Sequence, residues 1–265
     1  MSTVTATAID VADYRAVVRG ILGAGPGDGS ASPVHPFVLA SPAFERMTAG
    51  MRERSGDGAM VHLGQEITVY RLIRPGDTVT TGLEVLGARR EPRGVRLAIR
   101  CTLDDGGTPL ADLVTHVLFG GAQVPEPFGD IPQSAAPAAL GPALPPTVSV
   151  HTISREAIRE YARVSLDDNP IHLEDEAAAA AGFPGVIAHG MSVLALVCED
   201  AVDRFAGGDP DRVRALACRF SAPVQPDEPI EVAYAGTTDV VTFTVRTPRG
   251  PALKSGWIRL GDPDE

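Results

Sequence analysis

The sequence has few cysteines and no long apolar run, and each shortage excludes a class of protein. Its 265 residues include only Cys101, Cys198 and Cys218, which are widely spaced and form no CxxC pair. Neither a disulfide framework nor a zinc knuckle is supported, and reduced thiols in a cytoplasm are expected. No window approaches an uninterrupted membrane span, and residues 1–12 lack the pattern of a secretory signal. We therefore expect a cytoplasmic protein.

Positive charge is also scarce. Lysine and arginine together number 23, against 34 aspartate and glutamate residues, and Lys254 is the only lysine. The net charge of −11 argues against nucleic acid or an anionic membrane as a general partner, because both attract basic surfaces. Apolar residues make up 44% of the chain and charged residues 22%, so an ordinary packed core can form.

A stretch rich in proline and glycine divides the chain. Residues 123–147 show no periodicity and are predicted to form a linker between a first domain, 1–122, and a second domain, 148–265. The two halves have similar lengths, which suggests that they are related.

Two pairs of short segments support this relation. Residues 73–80 (IRPGDTVT) resemble residues 224–231 (VQPDEPIE), and residues 12–18 (ADYRAVV) resemble residues 159–164 (REYARV). Each match is weak alone, but both occur in the same order at nearly the same offset. This arrangement favours a duplicated fold.

Both halves show the same coarse order of a helix followed by antiparallel strands. In the first half we predict a helix over 9–22 and strands over 61–73, 78–90, 94–104 and 108–119. In the second half we predict helices over 154–166 and 190–205 and strands over 212–222, 229–236, 239–247 and 252–260. The second of these helices is apolar on nearly every side, which predicts burial against one face of a sheet. The fold class is therefore α+β.

Residues 165–172, SLDDNPIH, combine chemically active side chains with a helix-breaking proline. Pro170 cannot continue a helix, so the preceding helix should end near Leu166. Asp167 and His172 then lie on either side of a tight reversal, where a carboxylate and an imidazole can share a water and transfer protons. An ordinary helix stop with a solvated histidine is the other interpretation, and these eight residues alone do not decide.

Residues 182–192, GFPGVIAHGMS, supply a second group. Gly190 falls where the buried helix begins, so its N–H is unpaired inside that helix and can stabilise an oxygen that gains negative charge. We expect His189 to orient this turn rather than to transfer protons. Ser165 and Ser192 could contact a substrate, although capping or packing roles are also open.

Residues 161–192 as a whole resemble the hydratase 2 motif of the MaoC-like dehydratase family, which contains D-x-N-P-x-H, an alanine-rich helix, G-F and H-G-M. The resemblance implies a double hot-dog fold and (R)-specific hydration of trans-2-enoyl thioesters, or the reverse dehydration of (3R)-hydroxyacyl thioesters. It implies that Asp167 and His172 are the catalytic pair and that the Gly190 amide is the oxyanion donor. Asn169 would hold the loop, and neither a metal nor a cofactor is expected.

The first half lacks this motif, and His35 has no acid at the matching distance. The resemblance therefore implies a degenerate first hot-dog domain that binds the acyl chain. The expected substrate is an acyl-CoA or an acyl thioester of acyl carrier protein, with the carrier protein as a partner in the second case. One chain would form a pseudo-dimer, which could also dimerise further.

Three alternatives remain open. The chain could be a non-catalytic acyl-binding subunit of a heteromeric dehydratase, or a hot-dog acyl thioesterase, because a fold alone does not determine chemistry. Asp167, His172 and His189 could also form a facial triad for a metal ion. A serine hydrolase is less well supported, because the sequence has no G-x-S-x-G motif.

Overall fold

Antiparallel strands form one continuous sheet that packs against two long helices. The computed structural model describes residues 2–55, 60–122 and 126–262, so residues 123–125 of the predicted linker lie outside the described residues. The first half contains β1 (Ser2–Thr5), α1 (Ala8–Ile21), α2 (His35–Ser55), β2 (Met60–Val69), β3 (Thr78–Glu91), β4 (Gly94–Asp105), β5 (Thr108–Gly120) and β6 (Phe128–Gly129). The second half contains β7 (Ala143–His151), α3 (Arg155–Ser165), a 3₁₀ turn (Pro170–His172), α4 (Asp175–Ala180), α5 (Gly190–Phe205), a second 3₁₀ turn (Pro210–Arg212), β8 (Val213–Phe220), β9 (Ile230–Thr237), β10 (Val240–Thr247) and β11 (Gly250–Leu260).

The two halves meet where β2 pairs with β8, and we call this pair of strands the seam. The pairing is antiparallel, with Gly64 opposite Arg219 and Thr68 opposite Ala215. Outward from the seam, the strand order is β2-β5-β4-β3-β1 on one side and β8-β11-β10-β9-β7 on the other. The same order on both sides means that the halves are related by an approximate two-fold axis. The predicted α+β double hot-dog fold is therefore confirmed.

The repeated segments occupy equivalent places in the two halves. Residues 73–80 lead from β2 into β3, and residues 224–231 lead from β8 into β9. Residues 12–18 lie in α1, and residues 159–164 lie in α3. These weak sequence similarities therefore reflect true structural equivalence.

Helix α5 forms the centre of the second half. Its residues from Met191 to Val202 are all buried, as its apolar surface predicts. The helix lies in the main hydrophobic core, which also contains buried residues of α1, α3 and the inner face of the sheet. None of the described helices is both long and apolar enough to cross a membrane.

Helix α2 is the main element that the sequence analysis did not predict. Pro36 lies in its first turn, where a missing N–H costs little, and Pro42 lies inside it and interrupts the helical pattern. Both α2 and α5 directly precede the seam strand of their half, so α2 is the equivalent of α5. The first half therefore contains a central helix as well.

Strand β7 begins inside the segment that was predicted to be a linker. Residues from Thr147 to His151 pair with β9, and the register shifts between Leu144 and Thr147, where two prolines interrupt the pairing. Prolines are tolerated there because β7 is an edge strand with one unpaired side. The exact boundaries of the two domains remain a prediction.

A buried ion-pair network joins α1 of the first half to α5 of the second. Arg15 Nε lies 3.0 Å from Glu199 Oε2, and Arg19 Nη1 lies 3.3 Å from the same oxygen. The side chain of Glu199 is fully buried and that of Arg15 is 2% exposed. Because both partners have lost their hydration, each depends on the other for compensation.

We expect Glu199→Ala to lower the free energy of unfolding by about 3 kcal/mol, since it removes the buried counter-charge of Arg15 and leaves only the exposed carboxylate of Asp28 beside the guanidinium. Urea unfolding followed by circular dichroism measures this loss. Asp13→Ala is the control, because it removes an exposed ion pair between α1 and Arg163 of α3 and should change stability little. Equal losses in the two variants would contradict the buried-pair argument.

Candidate active site

The loop after α3 makes the reversal that the sequence predicts. The helix ends at Ser165, and the next residue, Leu166, has a left-handed backbone with φ of 58°. Asn169 then caps the 3₁₀ turn, because its side-chain oxygen accepts a hydrogen bond from the Ile171 N–H at 3.4 Å. The Asn169 N–H in turn donates to the Asp167 carboxylate at 3.3 Å. These local bonds bring Asp167 and His172 to the same side of the loop.

His172 presents one ring nitrogen to the site. Its Nδ1 lies 2.8 Å from the carbonyl oxygen of Ile187, and a carbonyl can only accept, so Nδ1 carries the hydrogen and Nε2 is left with a lone pair. Burial lowers the pKa of His172 below its usual value of 6.5, which keeps the ring neutral at neutral pH. Asp167 is exposed, and its ligand atoms lie within 4.8 Å of those of His172 and His189. A neutral imidazole thus stands beside a solvent-accessible carboxyl group.

His189 links the two sides of this arrangement. Its Nε2 lies 3.0 Å from the main-chain oxygen of Asp167, to which it donates. Its ring centroid lies 3.8 Å from that of His172 and 5.1 Å from that of Tyr161. Burial and the adjacent His172 lower the pKa of His189 to about 4. These contacts fix the position of His172 and of the Asp167 main chain.

Gly190 is the first residue of α5. Among the described residues, its N–H has no hydrogen-bond acceptor. The Phe220 ring lies 3.0 Å from the point that a Cβ of residue 190 would occupy. The free N–H and the dipole of α5 together make a site for an oxygen with negative charge.

The two serines of the motif contact the main chain. Ser192 Oγ donates to the carbonyl oxygen of His189 at 2.7 Å and is fully buried. Ser165 Oγ accepts from the Asp167 N–H at 3.4 Å and is also buried. Both serines therefore hold the turns that support the site.

The first half repeats part of this arrangement. His35 begins α2, as His189 directly precedes α5, and its ring stacks on Tyr14 at 5.1 Å. Tyr14 and Tyr161 occupy equivalent places, and their hydroxyl oxygens are 3.2 Å apart. However, Pro36 follows His35 where a glycine follows His189, and proline has no N–H to donate. The first half therefore cannot form the same oxyanion-binding group.

Tyr161 and Phe220 contact the site and were not assigned from the sequence, and neither was His62, which packs against Phe220. Tyr161 lies within the quoted motif, and its match to Tyr14 was a signal that could have identified it. His62 and Phe220 lie on the two seam strands, with ring centroids 4.6 Å apart. No sequence pattern indicates this contact, because it depends on how the two halves pair.

Asp167, His172 and His189 could also hold a divalent cation. One carboxylate and two imidazoles are common metal ligands, and the ligand atoms are close enough together. Each histidine donates its other ring N–H to a main-chain oxygen, which is also usual for metal-bound histidines. The geometry therefore fits either a metal-free proton-transfer pair or a metal site.

Comparisons with known proteins agree with this motif and fold. A family model described as "MaoC like domain" matches residues 142–246. The 3-hydroxyacyl-thioester dehydratase X of Mycobacterium tuberculosis is 33% identical over 190 residues, which cover 72% of this chain and 64% of that protein. The matched segment thus spans slightly less than two thirds of this relative.

Solved structures extend the similarity over nearly the whole chain. A MaoC-like dehydratase from Phytophthora capsici has a TM-score of 0.78 at 21% identity, covering 98% of this chain and 94% of that one. HtdX of Mycobacterium tuberculosis has a TM-score of 0.73 at 28% identity, covering 99% and 100%. Residues 142–246 therefore form a MaoC-like domain around the site, and the chain as a whole shares the fold of these solved structures.

The buried histidines predict that the protein loses stability in mild acid. Burial lowers the pKa of four of them to about 4: His35, His62, His116 and His189. Their pKa in the unfolded chain is about 6.5, so the unfolded state binds more protons between these values. The folded state therefore keeps its full stability above pH 6.5 and loses stability as the pH falls towards 4.

Between pH 7 and pH 5, we expect the free energy of unfolding to fall by about 2 kcal/mol less in His35→Phe than in the wild type. The His35 ring packs on Tyr14 and lies outside the candidate site, so phenylalanine preserves its stacking. Urea unfolding at the two pH values provides the comparison. If both proteins lose the same amount, burial of His35 does not cause the acid sensitivity.

Proposed function

We propose that this chain hydrates trans-2-enoyl thioesters to (3R)-hydroxyacyl thioesters and catalyses the reverse dehydration. The observation on which this depends is that Asp167 and His172 lie close together beside His189, the residue that directly precedes the unpaired Gly190 N–H. The MaoC-like domain of residues 142–246 and the name of the Mycobacterium tuberculosis relative support the same reaction.

Gly190 would activate the substrate carbonyl. The thioester oxygen accepts a hydrogen bond from the Gly190 N–H, and negative charge develops on this oxygen when the enolate forms. The N-terminal end of α5 stabilises that charge, and one such donor is typically worth about 10²–10³ in rate. The absence of a side chain at residue 190 leaves room for the Phe220 ring, which lies 3.0 Å from the position of a Cβ.

Asp167 and His172 would hold and activate the water. Both accept hydrogen bonds from it, and the pair removes one proton as the water oxygen bonds to C3. The electron pair of the C2=C3 bond moves into the enolate, and C2 then takes a proton, so the elements of water are added across the double bond. Dehydration follows the same steps in reverse, and His189 keeps the two groups in position.

The first domain, 1–122, would bind the acyl chain, while the second, 148–265, performs the chemistry. A cavity of about 370 Å³ lies between α2 and β3, and its lining includes Ala43, Met47 and Leu83. This volume is within the usual range of small-ligand sites, roughly 300–1,000 Å³. A second cavity, of about 590 Å³, lies at Trp257 and belongs to neither role.

The carrier of the acyl group would be CoA or acyl carrier protein. The three cysteines are reduced and buried, which fits a cytoplasmic protein. One chain already contains both hot-dog units, so a site forms without a second copy, although a homodimer is compatible with the exposed edge of β7.

The first test is the pair of substitutions Asp167→Asn and His172→Gln, each of which keeps a polar side chain but removes its proton-transfer function. We expect each to lower kcat/KM on an enoyl-CoA at least about 100-fold. The assay follows loss of the enoyl absorbance. Asp168→Asn and His151→Gln are the matched controls and should stay within a few-fold of wild type; full turnover by folded Asp167→Asn or His172→Gln protein would refute the assignment.

The second test separates hydration from the rival functions. We expect turnover to survive extensive treatment with a chelator, and an enoyl-CoA incubated with the protein should release no free thiol. Loss of activity that zinc or iron restores would favour the metal triad, and thiol release would favour a thioesterase. Purified chain that binds but never converts any thioester would favour a non-catalytic subunit.

A further inference from the structure

A bulge in seam strand β2 turns His62 towards the inside of the sheet. His62 pairs with Val117 and Gly64 pairs with His116, so Leu63 is one extra residue in β2. Gln65 and Ile67, on either side of the outward-facing Glu66, are both buried. With regular alternation, His62 would lie on the outer face with Gly64. The extra residue instead places His62 on the inner face.

The inward-facing ring of His62 lies between two aromatic rings. It stacks on Phe37 of α2 with centroids 5.6 Å apart and an angle of 15°, and it contacts Phe220 of β8 at 4.6 Å. Phe220 itself lies against Gly190. His62 is therefore a first-half residue separated from the oxyanion donor by one ring.

The Nε2 atom of His62 is buried and has no hydrogen-bond partner among the described residues. Burial lowers the pKa of His62 to about 4, so the ring is neutral at neutral pH. An unpaired buried polar atom is destabilising, and a phenylalanine would fill the space between two phenylalanine rings without this cost. A polar atom of a bound molecule would remove the cost.

The position of His62 indicates which part of a substrate it meets. Phe37 also contacts Phe44, with centroids 6.1 Å apart, further along α2. Phe44 packs with Met47 and Leu83 against the first-half core, and the latter two line the cavity of about 370 Å³. This chain of contacts connects Gly190, through Phe220, His62, Phe37 and Phe44, with the first half, which is the proposed side of the acyl chain.

We propose that His62 determines specificity for acyl thioesters whose chain has a hydroxyl group beyond the reacting carbons. The hydroxyl can donate to or accept from the free Nε2, so it pairs with either neutral tautomer. A plain hydrocarbon chain leaves Nε2 unpaired and binds less well. This inference rests on the proposed hydration, which supplies the thioester and its orientation.

The experiment compares kcat/KM for enoyl-CoA substrates of equal length, either unsubstituted or with one hydroxyl moved along the chain a carbon at a time. We expect wild type to prefer one hydroxylated isomer by at least about tenfold, equivalent to about 1.4 kcal/mol. His62→Phe should abolish this preference while keeping or raising kcat/KM on the unsubstituted chain. His62→Gln, which retains a polar end group, should restore part of the preference.

His116→Phe is the matched control, because His116 is also buried with an unpaired ring nitrogen but lies on the opposite face of the same strand pair. It should leave the preference unchanged, and melting temperatures check that all variants fold. Wild type without any preference overturns the inference, as does an equal loss on both substrate types in His62→Phe. Wild type that converts none of the thioesters instead refutes the proposed function, so the two failures are distinguishable.

Discussion

The pairing of β2 with β8 is the interaction on which the site depends. It joins two half-sheets into one and closes each half around its own helix. It also sets residues that are more than a hundred positions apart in the sequence, such as His62 and Phe220, in direct contact. The loop that carries Asp167 and His172 belongs to the second half, but part of its surroundings comes from the first. A hot-dog unit on its own would leave Phe220 and Gly190 facing solvent along this side.

Duplication gives the two halves the same framework but different chemistry. Each half has a tyrosine in the helix before its central helix and a histidine at the start of the central helix. The hydroxyl groups of the two tyrosines meet at the approximate two-fold axis. Retention in a half that lacks the acid and the second histidine indicates that this pair serves the fold. What distinguishes the second half is the Asp-x-Asn-Pro-x-His loop and the glycine at the start of α5. The two halves therefore share one framework, and the second half differs from the first in this loop and this glycine.

Sequence patterns predicted the features that depend on nearby residues. The end of α3 at Ser165, the extent of α5 and the four C-terminal strands follow from proline positions and periodicity, and the structure agrees. Helix α2 was not predicted, because Pro36 and Pro42 weaken the local helical signal while packing beneath the sheet still favours the helix. The place of His62 was also not predictable, because a single extra residue in a strand reverses every side chain before it. Roles assigned to Asp167, His172 and Gly190 stay predictions that kinetics must test.

Pro36 makes the start of α2 chemically different from the start of α5. An imino acid at the start of α2 makes one of the two helix ends unable to polarise a carbonyl, whatever side chains surround it. No rearrangement of the first half short of replacing that residue would restore the donor. The two hot-dog units are therefore unequal at this position, because only the second has a main-chain N–H to offer directly after its histidine. Under the proposed function, the second unit activates the carbonyl and the first holds the acyl chain.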